Sequence, residues 1–144
     1  MVLTITTIPA DELTELIGID MDTASGLIAA IRDGLPFDVF VNLQHILELP
    51  ASSLAALVGI PLRTLNRRKH EGRFKSEESD ALLRIARVVS RTLDVFKDRA
   101  TAILWLKTPE FAFDDVTPLS LLDTEVGAQE VLRLLGQLAH GVFP

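Results

Sequence analysis

Ser52-Ser53-Leu54-Ala55-Ala56-Leu57-Val58-Gly59-Ile60-Pro61-Leu62-Arg63-Thr64-Leu65-Asn66-Arg67-Arg68-Lys69-His70-Glu71-Gly72 reads as two short helices, residues 52–58 and 62–71, broken only by Gly59-Ile60-Pro61. Two helices joined so tightly cross steeply, and the first needs a small residue at the crossing. Ala55 and Ala56 supply it. The turn needs a residue that accepts positive φ, and Gly59 has no Cβ to oppose it. Pro61 stands at or beside the first position of the second helix, where its missing N–H leaves no bond unmade. Ile60 and Leu65 can bury against Leu54 and Val58. The pattern is that of a helix-turn-helix.

Charge gives this motif a direction. Residues 63–75 hold six Lys or Arg against the single Glu71, in a chain whose formal net charge is −6. Electrostatic partners are chosen by local patches rather than by the total. The outward positions early in the second helix are Arg63, Thr64, Asn66 and Arg67. Arg can bridge guanine O6 and N7, and Asn can pair with adenine N6 and N7, so these four suit a major groove. Arg68, Lys69, Arg73 and Lys75 suit phosphates, which position a protein without reading sequence. Operator DNA bound by a homodimer is the expectation, because one such motif binds weakly alone. A basic face that is merely solvated is the competing reading. Arg68 falls where helix-turn-helices often bury an aliphatic side chain, which predicts an exposed or tilted helix end.

The rest of the chain reads as helical too. Its 144 residues are 48% hydrophobic with few aromatics, enough for one domain or two small ones sharing a core. Cysteine is absent, so thiolate chemistry and disulfides are excluded and a reducing cytoplasm is the natural setting. Residues 1–8 lack the basic start of a signal peptide, and no apolar run nears the roughly 18 residues of a membrane span. A soluble cytoplasmic protein without membrane partners is expected.

Residues 1–8 alternate Thr with aliphatics, as a short edge strand or a tail would, and Pro9 and Gly18 bracket a short helix at 10–17. Thr23 is placed to cap a helix bearing Leu27, Ile28 and Ile31, and Pro36 starts another with Phe37, Phe40, Val41 and Leu47. Ser76, followed by Glu77 and Glu78, reads as the cap of a long helix with Leu82, Ile85, Val89, Leu93 and Phe96 on one face. Arg84, Arg87 and Arg91 share another face. Asp98 opens a helix to Lys107, and Thr108-Pro109 ends it. A loop rich in acid and aromatic residues covers 109–122. Asp123 or Thr124 then caps a last helix with Val131, Leu134, Leu135 and Leu138 inward and Gly141 just past its end. The prediction is all-α, with a seam near residues 92–98 that divides an N-terminal helix-turn-helix domain (1–92) from a small helical domain (93–144).

Catalysis has no support in the residues. His45, His70 and His140 are scattered, and Asp114-Asp115 reads as a solvated acidic pair without a third ligand. There is no Gly-rich phosphate loop and no nucleophile elbow. No metal and no cofactor is expected.

Several motifs nonetheless resemble a known family. Leu57-Val58-Gly59-Ile60, Arg63-Thr64-Leu65, Arg67-Arg68-Lys69, Gly72-Arg73 and Glu78-Ser79-Asp80-x-Leu82-x-Arg84 are similar to Xre-type antitoxins of the Xre/MbcA/ParS class, which pair with RES-domain toxins. Ala102-x-x-Trp105-Leu106-x-x-Pro109, Thr117-Pro118-Leu119-x-Leu121-Leu122-Asp123-Thr124-Glu125-x-Gly127 and the ending His140-Gly141-Val142-Phe143 carry the likeness through the second half. It covers roughly residues 35–144. Where the family often has Asn-x-Ala-Leu-x-Gly, this chain has Glu110-Phe111-Ala112-Phe113-Asp114-Asp115, without the glycine. That departure bears on the loop's conformation and on which toxin is recognised.

The resemblance implies an antitoxin that covers the active-site cleft of an NAD-degrading RES-domain toxin and represses its own operon. A stand-alone dimeric transcriptional regulator without a toxin partner is the alternative. Implied toxin contacts are Trp105, Pro118, Leu119, Leu122, His140, Gly141, Val142, Phe143 and Pro144. By position alone, Trp105 beside Ile103 and Leu104 reads as core. Pro118, Leu119, Leu121 and Leu122 suit either an interface or packing under the last helix. The tail from Val142 to Pro144 suits either insertion into a concave cleft, with Phe143 as anchor, or an ordinary frayed end. Gly127, one turn into the last helix, costs roughly 1 kcal/mol relative to Ala, which the close approach of another backbone would rationalise.

Overall fold

The computed structural model describes residues 23–141, and within them the chain forms seven α-helices and two short 3-10 helices. The expectations for residues 1–8 and 10–17, and for Val142, Phe143 and Pro144, lie outside the described residues. Thr23 caps α1 (Ala24–Asp33) as expected, its hydroxyl accepting from the Gly26 N–H at 3.1 Å. Pro36 precedes α2 (Phe37–Leu47), and Pro50 and Pro61 precede α3 (Ala51–Val58) and α4 (Leu62–Glu71). A proline in the β region before a helix stops the preceding chain from running on.

The long helix α5 (Ser76–Phe96) is the spine. Its cap is Lys75 rather than Ser76. Glu78, in the first turn, reaches back so that its carboxylate accepts from the Lys75 N–H at 2.9 Å. Asp98 caps α6 (Arg99–Leu106) by accepting from the Thr101 N–H at 3.1 Å. The segment after it winds into 3-10 helices Phe111–Phe113 and Leu119–Asp123, and Thr124 caps α7 (Glu125–Ala139), accepting from Gly127 N at 2.9 Å.

One core runs the length of α5. Leu82, Ile85, Val89 and Leu93 are buried on it as the spacing predicts, together with Leu83, Ala86 and Val88. Against them pack Leu43 and Leu54 from the first half, and Leu106, Leu122, Val131 and Leu135 from the second. The expected seam at 92–98 holds the end of α5 and the left-handed Lys97 (φ 60°), while the apolar core continues across it. Polar ties cross the same line. Arg84 donates to the Leu122 carbonyl at 3.1 Å, and Lys107 Nζ donates to the Glu48 carbonyl beyond the end of α2 at 3.1 Å.

The exit of the helix-turn-helix is stapled to the α1–α2 corner. Phe37 N donates to Gly72 O at 3.0 Å, Phe74 N to Leu35 O at 2.9 Å, and Leu35 N to the buried Ser79 hydroxyl at 2.8 Å. Phe37 and Phe74 stack with ring centroids 5.4 Å apart, and Phe40 closes the cluster. Gly34 sits at φ +85°, and a side chain there would overlap the Phe74 carbonyl. These contacts fix α4 relative to the rest of the molecule.

Candidate functional site

The turn between α3 and α4 forms as the sequence requires. Gly59 adopts φ +89° and donates to the Ala55 and Ala56 carbonyls at 2.9 and 3.2 Å. Ala55 alone is the small buried residue at the crossing, since Ala56 is exposed. On α4 only Leu65 and Arg68 are buried. Arg63, Asn66, Arg67, Lys69 and His70 are exposed, and Thr64 is half-buried. A helix that buries so little of its circumference presents most of its side chains to whatever it meets.

Arg68 corrects the sequence reading. It is 4% exposed, not a side chain aimed at phosphates, while Lys69, His70 and Glu71 beside it at the helix end are exposed as expected. Its position one turn after Leu65 puts it on the face toward α5. The guanidinium survives burial because it is paired: Nε and Nη2 donate to the two Glu78 oxygens at 2.7 and 3.0 Å, and Nη1 donates to Glu71 at 2.9 Å. The bonds from Glu78 and then Glu71 raise the Arg68 pKa still further above its ordinary range. Burial pushes the Glu78 carboxyl up, but its bonds to Arg68 and the Lys75 N–H outweigh that, and the net shift is downward. Arg73 is also partly engaged, donating to the Gly34 carbonyl at the end of α1. Lys69 and Lys75 are exposed without such ties among the described residues.

The second half offers a different surface. Trp105 is half-buried and packs on Phe96, with centroids 5.4 Å apart. The 3-10 helix Leu119–Asp123 lies against α3, α5 and α7. In the loop before it, Asp114 and Asp115 both take left-handed conformations, φ 57° and 63°, so the tight reversal forms without glycine. Glu110 N donates to Val116 O at 3.0 Å, and Asp115 N to Glu110 O at 3.1 Å, closing the loop on itself. Among the described residues no cluster of three or more His, Asp and Glu is placed to hold a metal ion.

With this geometry in place, comparison with known proteins is decisive. Residues 26–87 match the antitoxin Xre-like helix-turn-helix domain, and residues 92–141 match the antitoxin Xre/MbcA/ParS C-terminal toxin-binding domain. A protein of Yersinia enterocolitica serotype O:8 described as Antitoxin Xre is 39% identical over 129 residues, 88% of this chain and 87% of that one. Another, from Photorhabdus laumondii, is 31% identical over 137 residues, 94% of this chain and 93% of its own length. The chain belongs to the Xre antitoxin family. An Antitoxin Xre of Pseudomonas putida is 36% identical over 83 residues, 57% of this chain and 52% of that protein.

This Xre-family antitoxin therefore joins a helix-turn-helix to a toxin-binding domain on one core. No helix among the described residues is long and apolar enough to cross a membrane. Within the second part, the structure separates the implied toxin contacts. Pro118, Leu119 and Leu122 are buried beneath the last helix, while Leu121 beside them is half-buried. His140 and Gly141 are exposed at the end of α7, with Gly141 at φ +69° as its position past the helix predicts. The close backbone approach at Gly127 is internal: a Cβ there would overlap the Leu121 carbonyl. Exposed apolar side chains stand elsewhere. Phe111 is 88% exposed, Val126 76% and Leu104 67%. Leu104 stands outward, although the sequence groups it with Ile103 and Trp105 as core, because Ala102, Ile103 and Leu106 form the buried face of α6. The exposure of Phe111 was not legible, because a loop has no periodicity to reveal a face.

Proposed function

We propose that this antitoxin neutralises an NAD-degrading RES-domain toxin by covering its active-site cleft, and represses the operon encoding the pair by binding operator DNA as a homodimer. The observation that carries the reading is the exposed, basic α4 held at one end of the core that also supports the toxin-binding domain. In this reading Arg63, Asn66 and Arg67, with Thr64 beside them, meet base edges, and Lys69, Arg73 and Lys75 meet phosphates. Arg68 is a positioning residue that keeps α4 seated on α5. The toxin surface includes Trp105, His140 and Gly141 at the rim of the second half.

The test is co-expression with the product of the adjacent gene, followed by sizing, NAD consumption and gel-shift with the promoter region. The reading expects a stable complex, loss of NAD consumption on complex formation, and salt-sensitive binding of the promoter. A chain that binds the promoter as a dimer but forms no complex is a stand-alone regulator, which overturns the toxin half. Absence of DNA binding overturns the repressor half.

A further inference from the structure

Phe111 is the largest apolar side chain among the described residues to stand almost wholly in water, and its backbone is built to hold it there. Five backbone hydrogen bonds lie within residues 110–116: Glu110 N to Val116 O at 3.0 Å, Phe113 N to Glu110 O at 3.0 Å, Asp114 N to Phe111 O at 3.1 Å, Asp115 N to Glu110 O at 3.1 Å and Val116 N to Phe113 O at 3.3 Å. Phe113, two residues on, packs against the core and anchors the loop from below. Two consecutive non-glycine residues in left-handed conformations make the reversal that lifts Phe111 clear. Strain retained in a turn that projects an apolar ring points to use of that ring.

The surroundings restrict the occupant. From Thr108 to Leu132 there is no Lys or Arg, while Glu110, Asp114, Asp115, Asp123, Glu125 and Glu130 supply carboxylates. Carboxylates flanking the ring in the chain, Glu110, Asp114 and Asp115 above all, disfavour nucleic acid, which favours a protein as the partner of Phe111. It also lies inside the stretch that matches the toxin-binding domain. We propose that Phe111 is the anchor by which this antitoxin recognises its toxin, entering an apolar pocket rimmed by Lys or Arg. The inference rests on the toxin-binding reading above. An anchor whose backbone is already held in place loses less freedom on docking, which favours slow dissociation, while the neighbouring carboxylates speed encounter with a basic partner.

The experiment uses the full chain and the co-expressed product of the adjacent gene. Phe111→Ser is expected to weaken the complex about 30-fold or more, chiefly through faster dissociation. Its thermal midpoint and promoter binding should match the parent, since the side chain it removes packs on little. Asp114→Asn with Asp115→Asn keeps the left-handed backbone accessible while removing charge. It is expected to slow association and flatten its salt dependence. Unchanged affinity of Phe111→Ser overturns the anchor while leaving toxin binding intact. A Phe111→Ser chain that becomes monomeric where the parent is dimeric also overturns it, assigning the ring to a second copy. Failure of the parent itself to bind the toxin overturns both readings together.

Discussion

Arg68 on α4 and Glu78 on α5 form a two-pronged ion pair, Nε to Oε1 at 2.7 Å and Nη2 to Oε2 at 3.0 Å, on side chains only 5% and 11% exposed. Glu78 at the same time caps α5 through the Lys75 N–H. One carboxylate thus fastens α4 to the start of the spine and fixes where that spine begins. A fork-to-fork pair has geometric specificity that a point contact lacks. It sets the angle at which Arg63, Asn66 and Arg67 are presented.

Breaking the pair from either side leaves a buried group short of a partner, Arg68 with only Glu71 and Glu78 with only the Lys75 N–H, so the two single costs should not add. Arg68→Ala and Glu78→Ala are each expected to lower the thermal midpoint by several degrees. The double variant should fall well short of their sum. Urea denaturation of the four proteins measures the coupling. Strict additivity would show that the contact contributes nothing as a pair.

The same pair gives a sign for acid. The Glu78 carboxyl is depressed below its ordinary value of 4.5, so the folded chain holds this proton less tightly than the unfolded chain. Its contribution is therefore complete above about pH 4.5 and is lost as pH falls through the lower, folded value. The stability gap between the parent and Glu78→Gln should be constant from pH 7 to about 5 and shrink below 4.5. Asp98, lowered by the Thr101 hydroxyl and N–H, adds loss in the same direction but is common to both proteins. A gap that widens in acid would contradict the assignment.

What the residue order made legible was whatever local chemistry decides. Gly59 and Pro61 place the turn, Thr23, Asp98 and Thr124 cap their helices, and the spacing on α5 gives its buried face. Arg68 reads as surface because its two-pronged partner Glu78 lies ten residues away on another helix, and one Arg within a basic run gives no local sign of burial. Leu122 and Phe111 are both apolar residues of short 3-10 helices, yet one is buried and the other exposed. The difference is made by two left-handed backbone angles at Asp114 and Asp115 and by packing of the second 3-10 helix, neither of which has a periodic signature.

On α4, Arg63 and Arg67, proposed to read bases, and Lys69, proposed to meet phosphates, are alike exposed, so the choice of DNA is what tells them apart. Arg63→Ala and Arg67→Ala should each lose about 1–3 kcal/mol of binding to the chain's own promoter with little change for unrelated DNA. Lys69→Ala should weaken binding to both alike and reduce the slope of log affinity against log salt by about 1. Titrations at several salt concentrations check this. Equal losses on both DNAs for Arg63→Ala would move that residue to the phosphates.

The loop's left-handed Asp115 invites a relief test. An L-residue in that conformation carries a cost that glycine lacks, although Asp tolerates it better than most. Asp115→Gly should hold or raise stability by up to about 1 kcal/mol. Asp115→Val, β-branched at positive φ, should lose more than about 1 kcal/mol. Urea midpoints of the two variants decide the matter, and a stable Val variant would mean that the loop does not keep this turn.

Two glycines on α7 should respond to alanine with opposite signs. At an open helical position, Gly→Ala gains up to about 1 kcal/mol because the unfolded chain loses freedom. Gly136 is such a position, since a Cβ there meets nothing within 4 Å. Gly127 is not, because its Cβ would overlap the Leu121 carbonyl, a backbone atom that cannot swing aside as a side chain would. Gly127→Ala must push the 3-10 helix Leu119–Asp123 off α7, disturbing buried Leu119 and Leu122. A loss of about 1–3 kcal/mol is expected, as for other overpacked sites. Gly136→Ala should gain about 0.5–1 kcal/mol. Because the displaced segment also supports Arg84 through the Leu122 carbonyl, Gly127→Ala should weaken the tie between the two halves of the chain as well. Hydrogen exchange at the α7 N-terminus, read beside the urea midpoints, distinguishes this from a general loss of helix. Faster exchange confined to residues 119–128 is the expected result, and uniform acceleration along α7 would refute it.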